Sequence, residues 1–248
     1  MTIRSNKQLD RLLLIGRIVA ETLKLMQDSV QPGMTTAELN RIGAKHLAQC
    51  GARPAPIIAY KFPGETCISI NDECAHGIPG KRVIRPGDLV NIDVSAELGG
   101  VYADCGGTVG VGTVSKANQR LMQYTRQALD AAMHVARADA PINVIGYAVE
   151  GVAKRGGYSI ITALGGHGVG HKLHEEPRNI PNHFDRKERR PLKEGTVLTI
   201  EPFFAMGDGE IYEADDGWTL KMEDGLNACQ YEHTIVITRG KPIVVTAL

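Results

Sequence analysis

The sequence predicts an α+β fold in which one domain, residues 1–248, is built from two similar halves. Helix-like segments come in pairs, strand-like segments follow each pair, and this order occurs twice along the chain. Short motifs also recur in the same order. Together these observations predict pseudo-twofold halves over roughly residues 7–112 and 118–245, with no linker that would separate domains.

The first half begins with two predicted helices. Apolar residues over Leu12–Met26 recur at helical spacing, which predicts an amphipathic helix over residues 7–28. Pro32-Gly33 ends it, and Thr35-Thr36 can cap a second helix that runs to about Cys50. Strand-like segments then follow at residues 57–59, 66–70, 89–95 and 101–111.

The second half repeats this order. Residues 118–137 have a helical pattern, Pro141 interrupts it, and residues 144–155 have a second one. Gly156-Gly157 then leads to a strand-like segment over residues 158–163. The elements of the first half are therefore expected again in the second.

Two motifs recur at corresponding points of the halves. His76-Gly77-Ile78 returns as His167-Gly168-Val169, and Arg85–Asp93 returns as Lys193–Glu201. In both longer segments a Gly stands six residues before a carboxylate, and Ile stands directly before it. Short matches of this kind also arise by chance, but the shared order of the surrounding elements favours a duplication.

Asp93 and Asp104 lie in two strand-like stretches joined by Gly99-Gly100, a pattern typical of a β-hairpin. A turn centred on Leu98 and Gly99 would pair Glu97 with Gly100 and place the two aspartates opposite each other on one face. Directly opposed like charges destabilise a sheet, and apolar neighbours make bare carboxylates costlier. The pair therefore predicts a bound cation.

The second half supplies further ligand types at His167, Glu201 and Glu232. Four carboxylates and one imidazole suit hard to borderline divalent ions, and carboxylates can bridge two of them. Two such ions would bind a shared water, lower its pKa and stabilise a hydrolytic transition state. Taken singly, such an acid is more often a solvated or turn residue, and a lone His an ordinary hydrogen-bonded side chain. As a set they predict metal-assisted hydrolysis.

Composition argues against several other classes. The 28 Lys and Arg residues balance 28 Asp and Glu, so no global charge favours DNA or an anionic membrane. The five cysteines include no Cys-x-x-Cys pair, and no apolar run near the start suits a signal peptide or a membrane span. A cytoplasmic protein is therefore expected. The basic segment 186–193 is interpreted as a solvated loop, with contact to ribosomal RNA as the alternative.

These motifs, together with their neighbours, resemble those of the type I methionine aminopeptidases, a family with the pita-bread fold. The resemblance extends over nearly the whole chain, in the family's order and spacing, through Cys67–Asp72, His76–Pro79, Val90–Val94, Gly166–Gly170, His174–Pro177, Thr199–Pro202 and Gln230–Thr234. It implies a curved antiparallel sheet covered by helices. It also implies two divalent metal ions (cobalt, manganese, iron(II) or zinc) bound by Asp93, Asp104, His167, Glu201 and Glu232, with Asp104 and Glu232 bridging.

The resemblance also implies roles for other residues. In the family, a hydroxide bound by a dinuclear metal site attacks the first peptide carbonyl. By this resemblance His174 would stabilise the oxyanion, Glu201 would relay a proton and His76 would orient the scissile nitrogen. The implied substrate-binding residues are His76, His174, Phe62, Cys67, Leu173 and Trp218. A plain core aromatic is the alternative interpretation of Trp218.

Three departures from the family pattern affect the expected pocket. Leu173 stands where an aromatic usually precedes the second active-site histidine, and the stretches Ala59–Pro63 and Cys105–Thr108 also differ. Changes of about one methylene in an apolar pocket alter specificity by only about 1 to 3 kcal/mol. We therefore expect the chemistry to be retained and the methionine pocket to have a changed shape.

The implied activity is removal of initiator methionine from nascent polypeptides and small peptides, a step of protein maturation. A same-fold Xaa-Pro aminopeptidase or prolidase is a second hypothesis, but these relatives usually carry an extra N-terminal domain, for which the first predicted helix leaves no room. A non-catalytic binding module is a third, and such a module would be expected to lose ligands. No heptad or interface stripe appears, so a monomer is expected.

Overall fold

The computed structural model describes residues 1–248, which form five helices and fifteen strands, most of them short. The helices are α1 Asn6–Ser29, α2 Thr36–Gln49, α3 Ala55–Tyr60, α4 Lys116–Val135 and α5 Asn143–Gly156. The strands are β1 Arg53–Pro54, β2 Cys67–Ile70, β3 Glu73–Ala75, β4 Leu89–Leu98, β5 Val101–Gly110, β6 Ser159–Ile160, β7 Gly165–Gly168, β8 Glu175–Pro181, β9 Val197–Ile200, β10 Phe203–Ala205, β11 Ile211–Glu213, β12 Leu220–Met222, β13 Ala228–Gln230, β14 His233–Val236 and β15 Ile243–Val244. Every strand pair is antiparallel, and the α+β prediction is confirmed.

The two N-terminal helices form where the capping residues and the apolar spacing predict them. Ser5 caps α1 by accepting a hydrogen bond from the Gln8 amide, and Thr35 forms a capping box with Glu38 at the start of α2. The helices pack closely at Gly43, where a Cβ would lie 2.4 Å from Met26 Sδ. A larger residue at that position would displace the buried Met26 side chain.

Two strand predictions need correction. Residues 57–59, expected as a strand, lie inside the short helix α3, because proline in its first turn presets a helical backbone. Lys61, with a left-handed φ of 58°, ends that helix. The strand expected over residues 158–163 is limited to β6, Ser159–Ile160.

The hairpin β4–β5 exists, but its register differs from the prediction. Asp93 pairs with Gly106 and Asp104 pairs with Ser95, so the aspartates are diagonal rather than directly opposed. The turn is Gly99-Gly100, and both glycines have positive φ, 58° and 83°, as a tight two-residue hairpin turn requires. The register shift is even, so both carboxylates stay on one face of the sheet.

The sheets of the two halves have corresponding strand orders, each with one central strand between two neighbours. β4 lies between β2 and β5, and β9 lies between β7 and β14. β5 and β14 meet where the Glu232 amide donates to the Gly106 carbonyl at 2.9 Å. The acid-bearing ends of both sheets are thereby brought to one place.

The repeated longer motif has the same local structure in both halves. Gly87 and Gly195 have positive φ, 91° and 80°, and their amides donate to the carbonyls of Val111 and Ile237, respectively. The two His-Gly pairs differ, since His167 lies in β7 whereas His76 follows β3 with a φ of 54°. A duplicated single domain with halves at 7–112 and 118–245 stays a prediction that the longer motif supports.

The apolar core has two main clusters that the sheets separate. One joins α1 and α2 to the hairpin and also includes Val197 and Val236 from the C-terminal half. The other packs α4 and α5 against β9, β10 and β14. Of the five helices, none has the length and apolar character needed to cross a membrane.

Candidate metal centre and active site

One cavity of about 530 Å³ collects every site residue that the sequence predicts. Its lining includes Phe62, Cys67, His76, Asp93, Asp104, His167, Leu173, His174, Glu201, Trp218 and Glu232. These residues come from β2, β4, β5, β7, the loop before β8 and the segments beside β9 and β14, together with three other loops. Residues far apart in the chain therefore meet in one place.

The predicted ligands converge on the buried part of this cavity. Ligand atoms of Asp104, His167 and Glu232 all lie within 4.8 Å of one another. His167 Nε2 is 3.5 Å from Glu201 Oε1 and 3.8 Å from Asp104 Oδ2. Asp93 lines the same cavity, and its charge contributes to the raised pKa of Asp104, so the fifth residue also belongs to the group.

Two threonines hold the backbone at the ligands. Thr199 Oγ1 accepts from the His167 amide and donates to Glu201 Oε1, both at 3.0 Å. Thr234 Oγ1 accepts from the Asp104 amide at 3.0 Å and donates to the Asp104 carbonyl at 2.7 Å. The two threonines are register partners on β9 and β14, so one strand pair positions predicted ligands from both halves.

His167 has a defined ring orientation. Its Nδ1 lies 3.1 Å from the Gly168 carbonyl, which can only accept, so Nδ1 carries the hydrogen and Nε2 keeps its lone pair toward the carboxylates. Burial, with a smaller contribution from His174, lowers the pKa of His167 to about 3. The neutral imidazole is the form that binds a metal ion.

The carboxylates are electrostatically unfavourable without a cation. Burial raises the pKa of Asp104 well above its usual value, and the charges of Glu232 and Asp93 raise it further. Burial and neighbouring acids also raise the pKa of Glu201 and Glu232. Asp104 Oδ1 and Glu232 Oε1 are buried and have no hydrogen-bond partner. A buried acceptor without a partner costs free energy of folding, because it has lost its hydrogen bonds to water. A divalent metal ion would bind these oxygens, so the donor set fits such an ion.

A buried amide network orients Glu232 from behind. Gln230 Nε2 donates to Glu232 Oε2 at 3.0 Å, and Asn91 Nδ2 donates to Gln230 Oε1 at 2.8 Å. A Cβ at Gly106 would lie 2.6 Å from Gln230 Oε1. The unusual glycine after Cys105 is therefore needed to leave room for this network.

Two further histidines surround the ligand group without joining it. The rings of His174 and His167 have centroids 3.9 Å apart. Burial, with a contribution from His76, lowers the pKa of His174 to about 4. Burial also lowers the pKa of His76, against an opposing effect of Asp93. Both imidazoles are accessible from the cavity and neutral near pH 7, so each can donate one hydrogen bond and accept another.

The other predicted pocket residues form an apolar wall. Phe62 and Trp218 meet edge to face with ring centroids 5.2 Å apart, and Leu173 is buried beside His174. Trp218 is therefore a cavity residue and not a plain core aromatic. Burial, with smaller contributions from Asp93, Asp104 and Glu232, raises the pKa of the Cys67 thiol, which keeps it an unreactive neutral wall group.

Three groups of residues at the site were not predicted from the sequence. Tyr60 lines the cavity at the end of α3, where a strand was expected. Arg178 and Asn179 contribute from β8. Thr199 and Thr234 lie inside the quoted motifs, two residues before Glu201 and two after Glu232, and that spacing is the signal that could have indicated them.

Comparisons with known proteins agree with the geometry. The model of metallopeptidase family M24 matches residues 10–239. Methionine aminopeptidase 2 of Bacillus subtilis is 43% identical over 249 residues, covering 100% of both chains. The crystal structure of methionine aminopeptidase from Rickettsia prowazekii superimposes with a TM-score of 0.95 at 35% identity, again over 100% of both chains. The prolidase from Pyrococcus furiosus shares the fold, with a TM-score of 0.79 at 21% identity, but only 66% of its chain is covered.

Proposed function

The chain belongs to metallopeptidase family M24, and we propose that it is a methionine aminopeptidase that hydrolyses the first peptide bond of its substrates. The observation that carries the proposal is the meeting of four carboxylates and His167 beside an apolar wall in one cavity. The full-length similarity to methionine aminopeptidases supports the same activity. The pita-bread fold accommodates both parts of the site.

We propose that the site holds two divalent ions. Asp93, Asp104, His167, Glu201 and Glu232 would hold them, since four carboxylates offer enough oxygens to ligate and bridge a pair. When bound, such ions act as Lewis acids and activate water for attack on a carbonyl. Cobalt, manganese, iron(II) and zinc are all compatible with this donor set, and availability would decide among them.

The surrounding residues would bind and orient the peptide. Phe62, Cys67, Leu173 and Trp218 enclose the methionine side chain and exclude water from it. His174 donates a hydrogen bond to the carbonyl oxygen as negative charge develops there, and His76 orients the scissile nitrogen. Glu201 has its Oε1 fixed by Thr199, which suits the transfer of a proton from water to the leaving amine.

Peptides with a free amino terminus, including nascent polypeptides, are the proposed substrates. Removal of initiator methionine would make the protein part of protein maturation in the cytoplasm. It would act as a monomer, and the basic segment 186–193 is the region that would contact ribosomal RNA if the chain docks there. The balanced charge of the sequence and its similarity to methionine aminopeptidases support these proposals.

A peptide assay tests the activity. Protein loaded with manganese or cobalt should release free methionine from Met-Ala-Ser and leave Xaa-Pro dipeptides largely intact. The opposite preference would favour the prolidase hypothesis. A panel that varies the first two residues, run across several metals, would define the changed methionine pocket.

Ligand substitutions separate an enzyme from a binding module. Asp104→Ala or Glu232→Ala should abolish turnover and metal loading together. Glu213→Ala is the matched control, because Glu213 is exposed and lies outside the cavity. A wild-type chain that binds no metal and cleaves no peptide would support the non-catalytic alternative.

A further inference from the structure

Tyr60, the last residue of α3, contacts His174 across the cavity. Its hydroxyl oxygen lies 2.6 Å from His174 Nδ1, and the two rings meet edge to face with centroids 5.5 Å apart. His174 Nδ1 thus has a protein partner, whereas no protein hydrogen bond involves its Nε2. Nδ1 of the imidazole is therefore already hydrogen-bonded, and Nε2 is free to contact the substrate.

The Tyr60 hydroxyl can act as the donor in this contact. Its oxygen is within hydrogen-bond distance of His174 Nδ1, at 2.6 Å, and makes no other hydrogen bond to the protein. Burial, with a contribution from Asp104, also raises the pKa of Tyr60, so the phenol keeps its hydrogen at neutral pH. An imidazole that accepts at Nδ1 carries its single hydrogen at Nε2.

We propose that Tyr60 is a positioning residue: its hydroxyl donates to His174 Nδ1 and so holds the imidazole in the form that can donate from Nε2 to the scissile carbonyl oxygen. The proposal rests on the aminopeptidase function and on the oxyanion role of His174. The other tautomer would present a lone pair to that oxygen and repel the charge that develops on it. The hydroxyl would therefore contribute to kcat more than to substrate binding.

The local backbone explains why Tyr60 can do this. Lys61 ends α3 in a left-handed conformation, and its amide donates back to the carbonyls of Pro56 and Ile57. The chain then turns at once to Phe62, which packs against Trp218 in the wall. Tyr60 thereby places an aromatic ring against His174, next to Leu173, where the sequence lacks the usual aromatic.

Kinetics with a double-mutant cycle test the proposal. Tyr60→Phe should lower kcat for Met-Ala-Ser about tenfold and leave KM within about twofold, as expected for one lost hydrogen bond used in the transition state. In the His174→Ala background the same change should have no further effect. Tyr212→Phe, at an exposed tyrosine outside the cavity, is the control and should match wild type. An unchanged kcat in Tyr60→Phe, or an equal loss in both backgrounds, would overturn the proposal.

A spectroscopic readout checks the tautomer directly. In spectra of zinc-loaded protein with ¹⁵N-labelled histidine, the His174 signals are identified as those that are missing from His174→Ala protein. In wild type these signals should show hydrogen on Nε2. In Tyr60→Phe they should show a mixture of tautomers. Hydrogen on Nδ1 in wild type would contradict the proposal. If wild type released no amino-terminal residue from any peptide, the proposed function would fail, and the NMR result would still decide the tautomer.

Discussion

At the scale of single residues, the buried carboxylates make metal-free protein sensitive to pH. Their pKa values are raised by burial and by one another, so in metal-free protein these carboxyl groups bind more protons in the folded state than in the unfolded state above about pH 4.5. The stability that these groups contribute is then lost as pH rises through their raised pKa values. A bound divalent cation would remove this loss.

Glu232→Gln should therefore stabilise the metal-free protein. Replacing one buried charge by a neutral amide should raise stability by about 1 to 2 kcal/mol at pH 8, or roughly 2 to 8 °C in the unfolding midpoint. Thermal unfolding in EDTA at pH 5 and pH 8 measures it, and the gain should be larger at pH 8. Glu213→Gln should show no gain, and a destabilised Glu232→Gln protein in EDTA would contradict the electrostatic account.

His174 provides a second prediction at this scale. His174→Ala should lower kcat about 10²- to 10³-fold, the usual loss for one oxyanion donor, while metal content stays unchanged because His174 lies outside the ligand set. His171→Ala is the matched control, since His171 is exposed in the same loop. Full kcat in His174→Ala protein with metal bound would refute the oxyanion role.

At the scale of secondary-structure elements, the paired strands β9 and β14 act as a support for the ligands. Thr199 connects the His167 amide to Glu201, so one hydroxyl holds two of the proposed ligands. Thr199→Val keeps the shape but removes both hydrogen bonds. Metal affinity should fall about 10- to 100-fold, as for other outer-shell partners.

Titration calorimetry with manganese measures that loss. Thr196→Val is the control, because Thr196 precedes the same strand but makes no side-chain hydrogen bond to a ligand. An unchanged affinity in Thr199→Val protein would show that backbone packing alone holds His167 and Glu201 in place.

The turn of the hairpin carries a separate prediction. Gly100 has a φ of 83° and no atom near its missing Cβ, so Gly100→Ala is strained by backbone conformation alone. It should cost about 1 to 2 kcal/mol. Gly80→Ala, where φ is not positive and space is available, should be neutral or slightly stabilising. Urea unfolding compares the two, and equal stability of both variants would contradict the turn assignment.

The same turn shows how far sequence alone could go. Gly99-Gly100 and the strand-like flanks were enough to predict a hairpin with both aspartates on one face. They did not fix the register, since the central pair of the turn is set by which glycines take positive φ. Residues 57–59 were missed for a related reason: apolar letters in a short segment do not distinguish a strand from one turn of helix started by Pro56.

At the scale of the whole molecule, the site depends on contacts between parts of the chain that are distant in sequence. The meeting of the five proposed ligand residues in one cavity was predictable because each lies in a recognisable motif. Tyr60 was not, because its role depends on where α3 ends relative to His174, a residue 114 positions away. Sequence patterns report local chemistry, whereas such a pairing is decided by the packing of two separate elements.

The apolar core predicts that the halves unfold together. The cluster around Leu12 and Ile92 includes Val197 and Val236, so neither half can lose its packing without exposing apolar surface of the other. The proposed ligands also come from both halves, so zinc should stabilise the whole chain, by about 2.7 kcal/mol at a hundredfold excess over Kd. The unfolding midpoint of the whole chain should rise accordingly. Trp218, the only tryptophan, reports on the C-terminal half of the site. Its fluorescence should change at the same temperature as the far-ultraviolet circular dichroism, with EDTA and with zinc. Two separated transitions would show that the halves are independent domains, and a midpoint unaffected by zinc would mean that metal does not link them.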